Sequence, residues 1–383
     1  MSVTHPKGFA AAGTKAGLKE SGKPDLALVI NNGPEYAAAG VFTSNRVKAA
    51  PVVWSQQVIK DGSLKAVILN SGGANACTGP EGFGNTHLTA EQTAAALGIG
   101  AIDVAVCSTG LIGIQLDVAK IIDALPTLVE DASAEGGPAA AEAIMTTDTV
   151  SKQAVHQGDG WSIGGMAKGA GMLAPGLATM LVVITTDASV QADRLHDQLA
   201  DACRQTFDRA DSDGCMSTND TVIVLANGAS GITPDETEFQ AALTEVCADL
   251  ARQLIADAEG ASHEIEIVVS GAATEAEAVE VGRSVARNNL FKCAIFGNDP
   301  NWGRVLAAIG TTAATFEPDQ LDVSFNGVQV CRAGGIGEPR ELVDLSDRKV
   351  RVEIDLHAGA ETATILTNDL TYDYVKENAE YSS

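Results

Sequence analysis

Residues 167–188 read AKGAGMLAPGLATMLVVITTDA, and the composition changes abruptly halfway along. Glycine, alanine and proline crowd residues 169–178, where the backbone can take turns that larger side chains resist. From Met180 to Thr185 the chain is apolar and β-branched, the composition of a buried strand. Thr179 stands at the junction, directly behind Ala178. A neutral hydroxyl is a poor nucleophile without a base beside it, and no histidine lies near Thr179 in sequence. Two readings stay open: an ordinary first residue of a strand, or a nucleophile freed by scission of the Ala178–Thr179 bond. In the second, the new α-amine has an ordinary pKa of about 7.7–8.0, against about 10.4 for lysine, and can take the hydroxyl proton near neutral pH. Both groups then belong to one residue, which removes much of the entropy of orienting them.

Outward from this junction, short apolar runs alternate with helical patterns. Strands are expected at Leu26–Ile30, Lys65–Leu69, Val104–Cys107, Met180–Thr185, Thr221–Leu225, Glu264–Val269, Leu321–Phe325 and Val350–Leu356. The last alternates apolar and polar residues, as a half-buried strand does. A helix is expected from Thr233 to Ala258, opened by the capping box Thr233-Pro-Asp-Glu236 and striped by Phe239, Leu243, Val246, Leu250 and Leu254. A second is expected from Ala192 to Arg209, and a third from a capping box at Thr89-Ala-Glu-Gln92 to Gly98. Neighbouring strands at 321–331 and 349–367 suggest pairing within each segment. Mixed element order points to layered α/β architecture rather than a uniform βαβ array. Val129–Gly137, acidic and ending in glycine, is the linker candidate.

The chain has 383 residues, 45% hydrophobic but only 4% aromatic, so aliphatic side chains must build the core. Fifty acidic against 25 basic residues give a formal charge of −25, which repels nucleic acid and anionic membranes. Seven scattered cysteines without a C-x-x-C pair fit a reducing compartment, each as a small buried hydrophobe. No signal-like or membrane-length apolar segment occurs, so a cytoplasmic location is expected. The six histidines form no metal-ligand spacing, and no G-x-S-x-G elbow is present. Gly169-Ala-Gly171-Met-Leu-Ala174 fits a dinucleotide fingerprint, but Pro175 and Gly176 fall where its helix must run.

The stretch Lys168–Leu181 resembles the self-cleavage segment of the ornithine acetyltransferase (glutamate N-acetyltransferase) family. The resemblance extends in order through Phe42–Arg46, Asn70–Asn75, Ser108–Gly110, Met145–Thr149, Asp257–Gly260, Asp299–Arg304 and Glu377–Ser383. Departures are minor: Gly176 where a larger polar residue is frequent, and Ser151 where proline is common. The resemblance implies a layered α/β sandwich of the self-processing ornithine acetyltransferase and DmpA-like aminopeptidase type. It implies an α chain, 1–178, and a β chain, 179–383, that stay together as an α2β2 assembly because strands from both remain packed in shared layers. Thr179 is then the nucleophile, passing acetyl from N2-acetylornithine to glutamate, and Thr109 and Gly110 form the oxyanion hole. Substrate contacts carry over to Thr146, Lys168, Thr179, Glu259, Asn378 and Ser383. No metal and no organic cofactor is implied, and acetyl-CoA stays open as a second donor. Two other classes stand beside this one. In a self-cleaving aminopeptidase or amidase, water would accept the acyl group. In a non-enzymatic acidic scaffold, the glycine loop would be structural.

Overall fold

The computed structural model describes residues 2–174 and 180–380. Ala178, Thr179 and Ser383 lie outside the described residues. The chain divides into two units, the first of residues 2–208 and 215–254, the second of 209–214 and 255–380.

In the first unit the strands are β1 (Phe9–Thr14), β2 (Leu26–Asn31), β3 (Ala37–Phe42), β4 (Ala66–Asn70), β5 (Val104–Ser108), β6 (Lys152–Gln157), β7 (Ser162–Lys168), β8 (Leu181–Thr186) and β9 (Thr221–Ala226). Its helices are α1 (Ala50–Val58), α2 (Gly79–Leu97), α3 (Val118–Glu130), α4 (Gly137–Ala143), α5 (Ala192–Gln205) and α6 (Glu236–Ala256). One sheet has the order β1-β2-β4-β5 and the other β3-β9-β8-β7-β6. Their facing sides share one buried cluster, with Val29, Leu69 and Cys107 from the first sheet and Met166, Val183 and Ile223 from the second. The outer side of the first sheet packs Leu28, Ile68 and Val106 against Ala90 of α2 and Ile121 and Leu125 of α3. On the outer side of the second sheet, Val246 and Leu250 of α6 lie over Gly165, and Trp161 meets Phe239 at 5.6 Å between ring centroids. The result is helix, sheet, sheet, helix. Strands covered on both faces need apolar residues at every position, which is why β8 and β9 read as unbroken runs instead of alternating.

The second unit carries β10 (Glu264–Ala272), β11 (Asp322–Phe325), β12 (Val328–Arg332), β13 (Gly335–Ile336), β14 (Lys349–Asp355) and β15 (Glu361–Asn368), in the order β13-β12-β11-β14-β10-β15. Its helices are α7 (Glu275–Ala286), α8 (Asn289–Phe296), α9 (Trp302–Ile309) and α10 (Tyr372–Glu380). Val281, Val285, Phe291, Ile295, Val305 and Ile309 cover the sheet's apolar face. Along β14, Val350, Val352 and Ile354 point inward between exposed or half-buried neighbours, as the alternation requires.

Every strand read from the sequence is present, with small shifts at the ends. Five other expectations need correction. The helix expected to open at Thr89 begins ten residues earlier, at Gly79, and Thr89 lies inside it, its hydroxyl donating to the Asn85 carbonyl at 2.9 Å. A Thr-x-x-Gln spacing also fits consecutive turns of one helix. The α6 cap is Asp235, whose carboxylate accepts from the Thr237 and Glu238 amides at 2.9 and 3.2 Å, so Thr233 stands outside the helix. Residues 129–137 are no domain linker: they join α3 to α4 inside the first unit, and Ser133 pairs with Ala11. β11 and β12 pair as expected, but β14 and β15 do not pair with each other; both flank β10, with Val352 and Ile365 on either side of Ile267. The segment 356–360 is long enough to step over one strand, about 10 Å. Cys107, Cys203, Cys247 and Cys331 are buried as expected, whereas Cys77, Cys215 and Cys293 are exposed.

Ile267 is fully buried at the centre of the second unit's core. Ile267→Ala is expected to destabilise the protein by about 2–5 kcal/mol, read as a lowered urea midpoint with an unchanged denaturant slope.

Candidate active site

The site begins where β5 ends. Ser108 and Thr109 are buried, and Gly110 follows with φ +129°. A Cβ on Gly110 would approach the Gly73 nitrogen to 2.8 Å, so only glycine fits between this turn and the 70–75 loop. The turn is braced from three directions. The Asn70 carbonyl accepts the Thr109 amide at 3.0 Å. The Asn70 side chain donates to Ser108 Oγ at 2.6 Å. Asn219 donates from one amide nitrogen to the carbonyls of Ala74 and Ser108, at 2.6 and 2.7 Å.

The Thr109 amide is already bonded, leaving its hydroxyl as the available group. The Gly110 N–H has no hydrogen-bond acceptor among the described residues.

Lys168, the last residue of β7, reaches the same place from the other sheet. It is 1% exposed, and its Nζ donates to Thr109 Oγ1 at 3.4 Å. Because that oxygen accepts from an ammonium, the Thr109 proton is free to point elsewhere.

Behind Lys168 lies Asp148, whose side chain has no exposed surface. Its Oδ1 accepts from Lys152 Nζ and the Gly169 amide, both at 2.7 Å. Its Oδ2 accepts from the Thr146 amide at 2.9 Å and lies 3.9 Å from Lys168 Nζ. Burial pushes the Asp148 carboxyl up, but the Lys168 and Lys152 ammoniums and the bonded amide outweigh it and hold the group well below the usual carboxylate range. Removing one partner of such a buried pair strands a charge and costs about 3–5 kcal/mol.

Lys19 stands nearby, donating to the carbonyls of Pro24 at 3.0 Å and Met145 at 2.5 Å. Together with Thr146, Asp148 and Glu142 it lines a cavity of about 250 Å³. Burial lowers its pKa to about 8, and the Lys168 ammonium adds to this against the Asp25 and Asp148 carboxylates.

The strand after the junction is anchored at its first described residue. The Met180 amide donates to Asp220 Oδ1 at 3.1 Å, and the Thr221 amide returns a bond to the Met180 carbonyl. Asp220 is fully buried, and burial raises its pKa well above the carboxylate range, opposed by the Met180 amide and the Ser217 hydroxyl.

Of the site residues expected from sequence, Thr109, Gly110, Thr146 and Lys168 therefore gather in the first unit. Glu259 and Asn378 belong to the second, where the Asn378 amide donates to Glu259 Oε2 at 3.0 Å. Among the described residues, no group of three or more His, Cys, Asp or Glu side chains is placed to hold a metal ion. No described helix is long and apolar enough to cross a membrane. Sequence reasoning missed Asp148, Asn219 and Asp220. The one signal for the latter two is the polar run Ser217-Thr-Asn-Asp220 immediately before a buried strand.

Two stacked sheets whose strand ends deliver a hydroxyl, an open amide and an ammonium to one point have the build of a layered α/β acyltransferase, and the relatives of this chain act in arginine biosynthesis. The chain belongs to the ArgJ family, whose model matches residues 10–383. It is 65% identical over 383 residues to the arginine biosynthesis bifunctional protein ArgJ of Streptomyces avermitilis, with both chains covered completely. To the protein of that name from Mycobacterium leprae it is 56% identical over 392 residues, covering 100% of this chain and 96% of the relative. A solved chain of ArgJ from Bacillus halodurans is similar at 35% identity and a TM-score of 0.50, covering 51% of this chain and 97% of that one. Ornithine acetyltransferase from Mycobacterium tuberculosis, solved with ornithine, is 59% identical with a TM-score of 0.45, covering 47% and 96%.

Lys19 is expected to be half deprotonated near pH 8. Its folded value lies below the ordinary lysine value, so the unfolded chain binds more protons between the two and Lys19 contributes increasing stability as pH rises through that interval. Competitive labelling of amines followed by peptide mass spectrometry should give Lys19 a reactivity midpoint near 8; a midpoint above 10 contradicts the burial argument.

Proposed function

We propose that this chain is a glutamate N-acetyltransferase that moves acetyl from N2-acetylornithine to glutamate through an ester on Thr179. The peptide bond between Ala178 and Thr179 is hydrolysed, one water leaving a carboxylate on Ala178 and an α-amine on Thr179. The Thr179 α-amine then takes the hydroxyl proton as the oxygen attacks the acetyl carbonyl, and delivers it to the departing ornithine nitrogen. Glutamate's neutral amine attacks the ester in the second half-reaction, and the proton that this amine loses passes through the α-amine to the departing threonine oxygen. Each tetrahedral intermediate carries an oxyanion that the Thr109 hydroxyl and the Gly110 amide stabilise. Thr146 and Lys168 bind substrate, with the ammonium opposite a carboxylate. Glu259, Asn378 and Ser383 are proposed as further substrate contacts. The cleaved chains, 1–178 and 179–383, assemble as α2β2 in the cytoplasm, and acetyl-CoA is a candidate second donor.

The observation that carries this reading is the convergence of Lys168 Nζ on Thr109 Oγ1 beside the open Gly110 amide. A second observation supports the cleavage. The Bacillus halodurans chain is accounted for almost completely by only 51% of this sequence, whereas curated relatives match along its full length.

Thr179→Ala is expected to give an uncut polypeptide of 39.3 kDa without transfer activity, and the wild type two fragments meeting at 178 and 179, read by denaturing mass spectrometry. An intact wild-type chain that turns over would overturn the mechanism. Acetyl release from acetylornithine should require glutamate, since a hydrolase would not. Thr109→Val should lower kcat by about 10²–10³ while leaving KM within a few-fold, the loss typical of one oxyanion donor.

A further inference from the structure

We infer that Asp148 is a positioning residue of the active site: one buried carboxylate, at the open end of the β6–β7 hairpin, sets both Thr146 and Lys168 in place for substrate. This rests on the reading that those two residues touch substrate.

The geometry is specific. Lys152 opens β6 and Lys168 closes β7, and Lys152 is paired with Ala167 in register, so the two ammonium stems leave the hairpin at the same end. Asp148 lies between them and uses its two oxygens differently. Oδ1 takes the Lys152 ammonium and the Gly169 amide, which fixes the backbone immediately after Lys168. Oδ2 takes the Thr146 amide, with the Thr146 hydroxyl at 3.4 Å, and faces Lys168 Nζ at 3.9 Å.

Lys168 Nζ is therefore held between a carboxylate behind it and the Thr109 hydroxyl in front. A buried lysine has many rotamers to lose, and a fixed countercharge selects the one that points at the β5 turn. The 146–148 turn is fixed by the same oxygen, so a displacement of the carboxyl moves both proposed contacts together. Asp148 touches the reaction only through them.

The test separates positioning from simple charge balance. Asp148→Asn alone takes the carboxylate away from the Lys152 ammonium, so Asp148→Asn/Lys152→Met is compared with Lys152→Met, after circular dichroism has shown both to be folded. Asp148→Glu keeps the charge and extends it by one methylene. Positioning predicts that the double variant, relative to Lys152→Met, and Asp148→Glu, relative to wild type, each raise KM for glutamate at least tenfold while kcat stays within threefold, a split that marks lost binding rather than lost chemistry. A KM within twofold of its reference in either folded variant overturns the inference. Lys168→Met is the control for the underlying reading: an unchanged KM there removes Lys168 from the site, whereas a raised KM there with normal Asp148 variants rejects the positioning role alone.

Discussion

A single carboxylate with no exposed surface, Asp148, sets the electrostatic arrangement on which the candidate site depends. Two ammonium groups and two backbone amides converge on it, inside a chain whose formal charge is −25. Burial alone would neutralise such an acid; with two lysines beside it the charged form wins. Lys19 stands beside this cluster, facing the Asp25 and Asp148 carboxylates, and burial lowers its pKa to about 8.

The sandwich explains why that charge sits where it does. β5 belongs to one sheet and β7 to the other, and the shared aliphatic core between them sets the spacing of their ends. Side chains such as Val29, Leu69, Val183 and Ile223 pack closely without aromatic bulk. The distance from Lys168 Nζ to Thr109 Oγ1 is therefore a property of the core as much as of the two residues. The need for glycine at 110 follows from the same close packing, since Gly73 presses on that turn and leaves no room for a side chain.

Much of this architecture is legible in the amino-acid order, and the failures have physical causes. Strands covered on both faces stand out because each position must be apolar, which made β8 and β9 plain. End signals are weaker, because Thr89-Ala-Glu-Gln92 has the spacing of a cap and the spacing of successive helical turns alike. The division into two units falls at 209–214 and at the end of α6, and it was missed because the polar stretch Arg209–Gly214 has the composition of any loop between a helix and a strand. Thr109 and Lys168, which lie 59 residues apart, could be linked in the sequence only through the family resemblance. Asp148 was invisible for a different reason: among 50 acidic residues, nothing in its immediate neighbours distinguishes a buried acid from a solvated one.

The sheet β3-β9-β8-β7-β6 interleaves material from before and after the junction at residue 178. The two later strands lie in the middle, and earlier strands flank them on both sides, β3 antiparallel to β9 and β7 antiparallel to β8. Peeling the halves apart would mean unzipping two ladders at once and splitting the hydrophobic interior. An opened backbone there would leave an interlocked pair, so the shared sheet would need both halves present in order to form, and exchange of halves between molecules would require unfolding of the first unit.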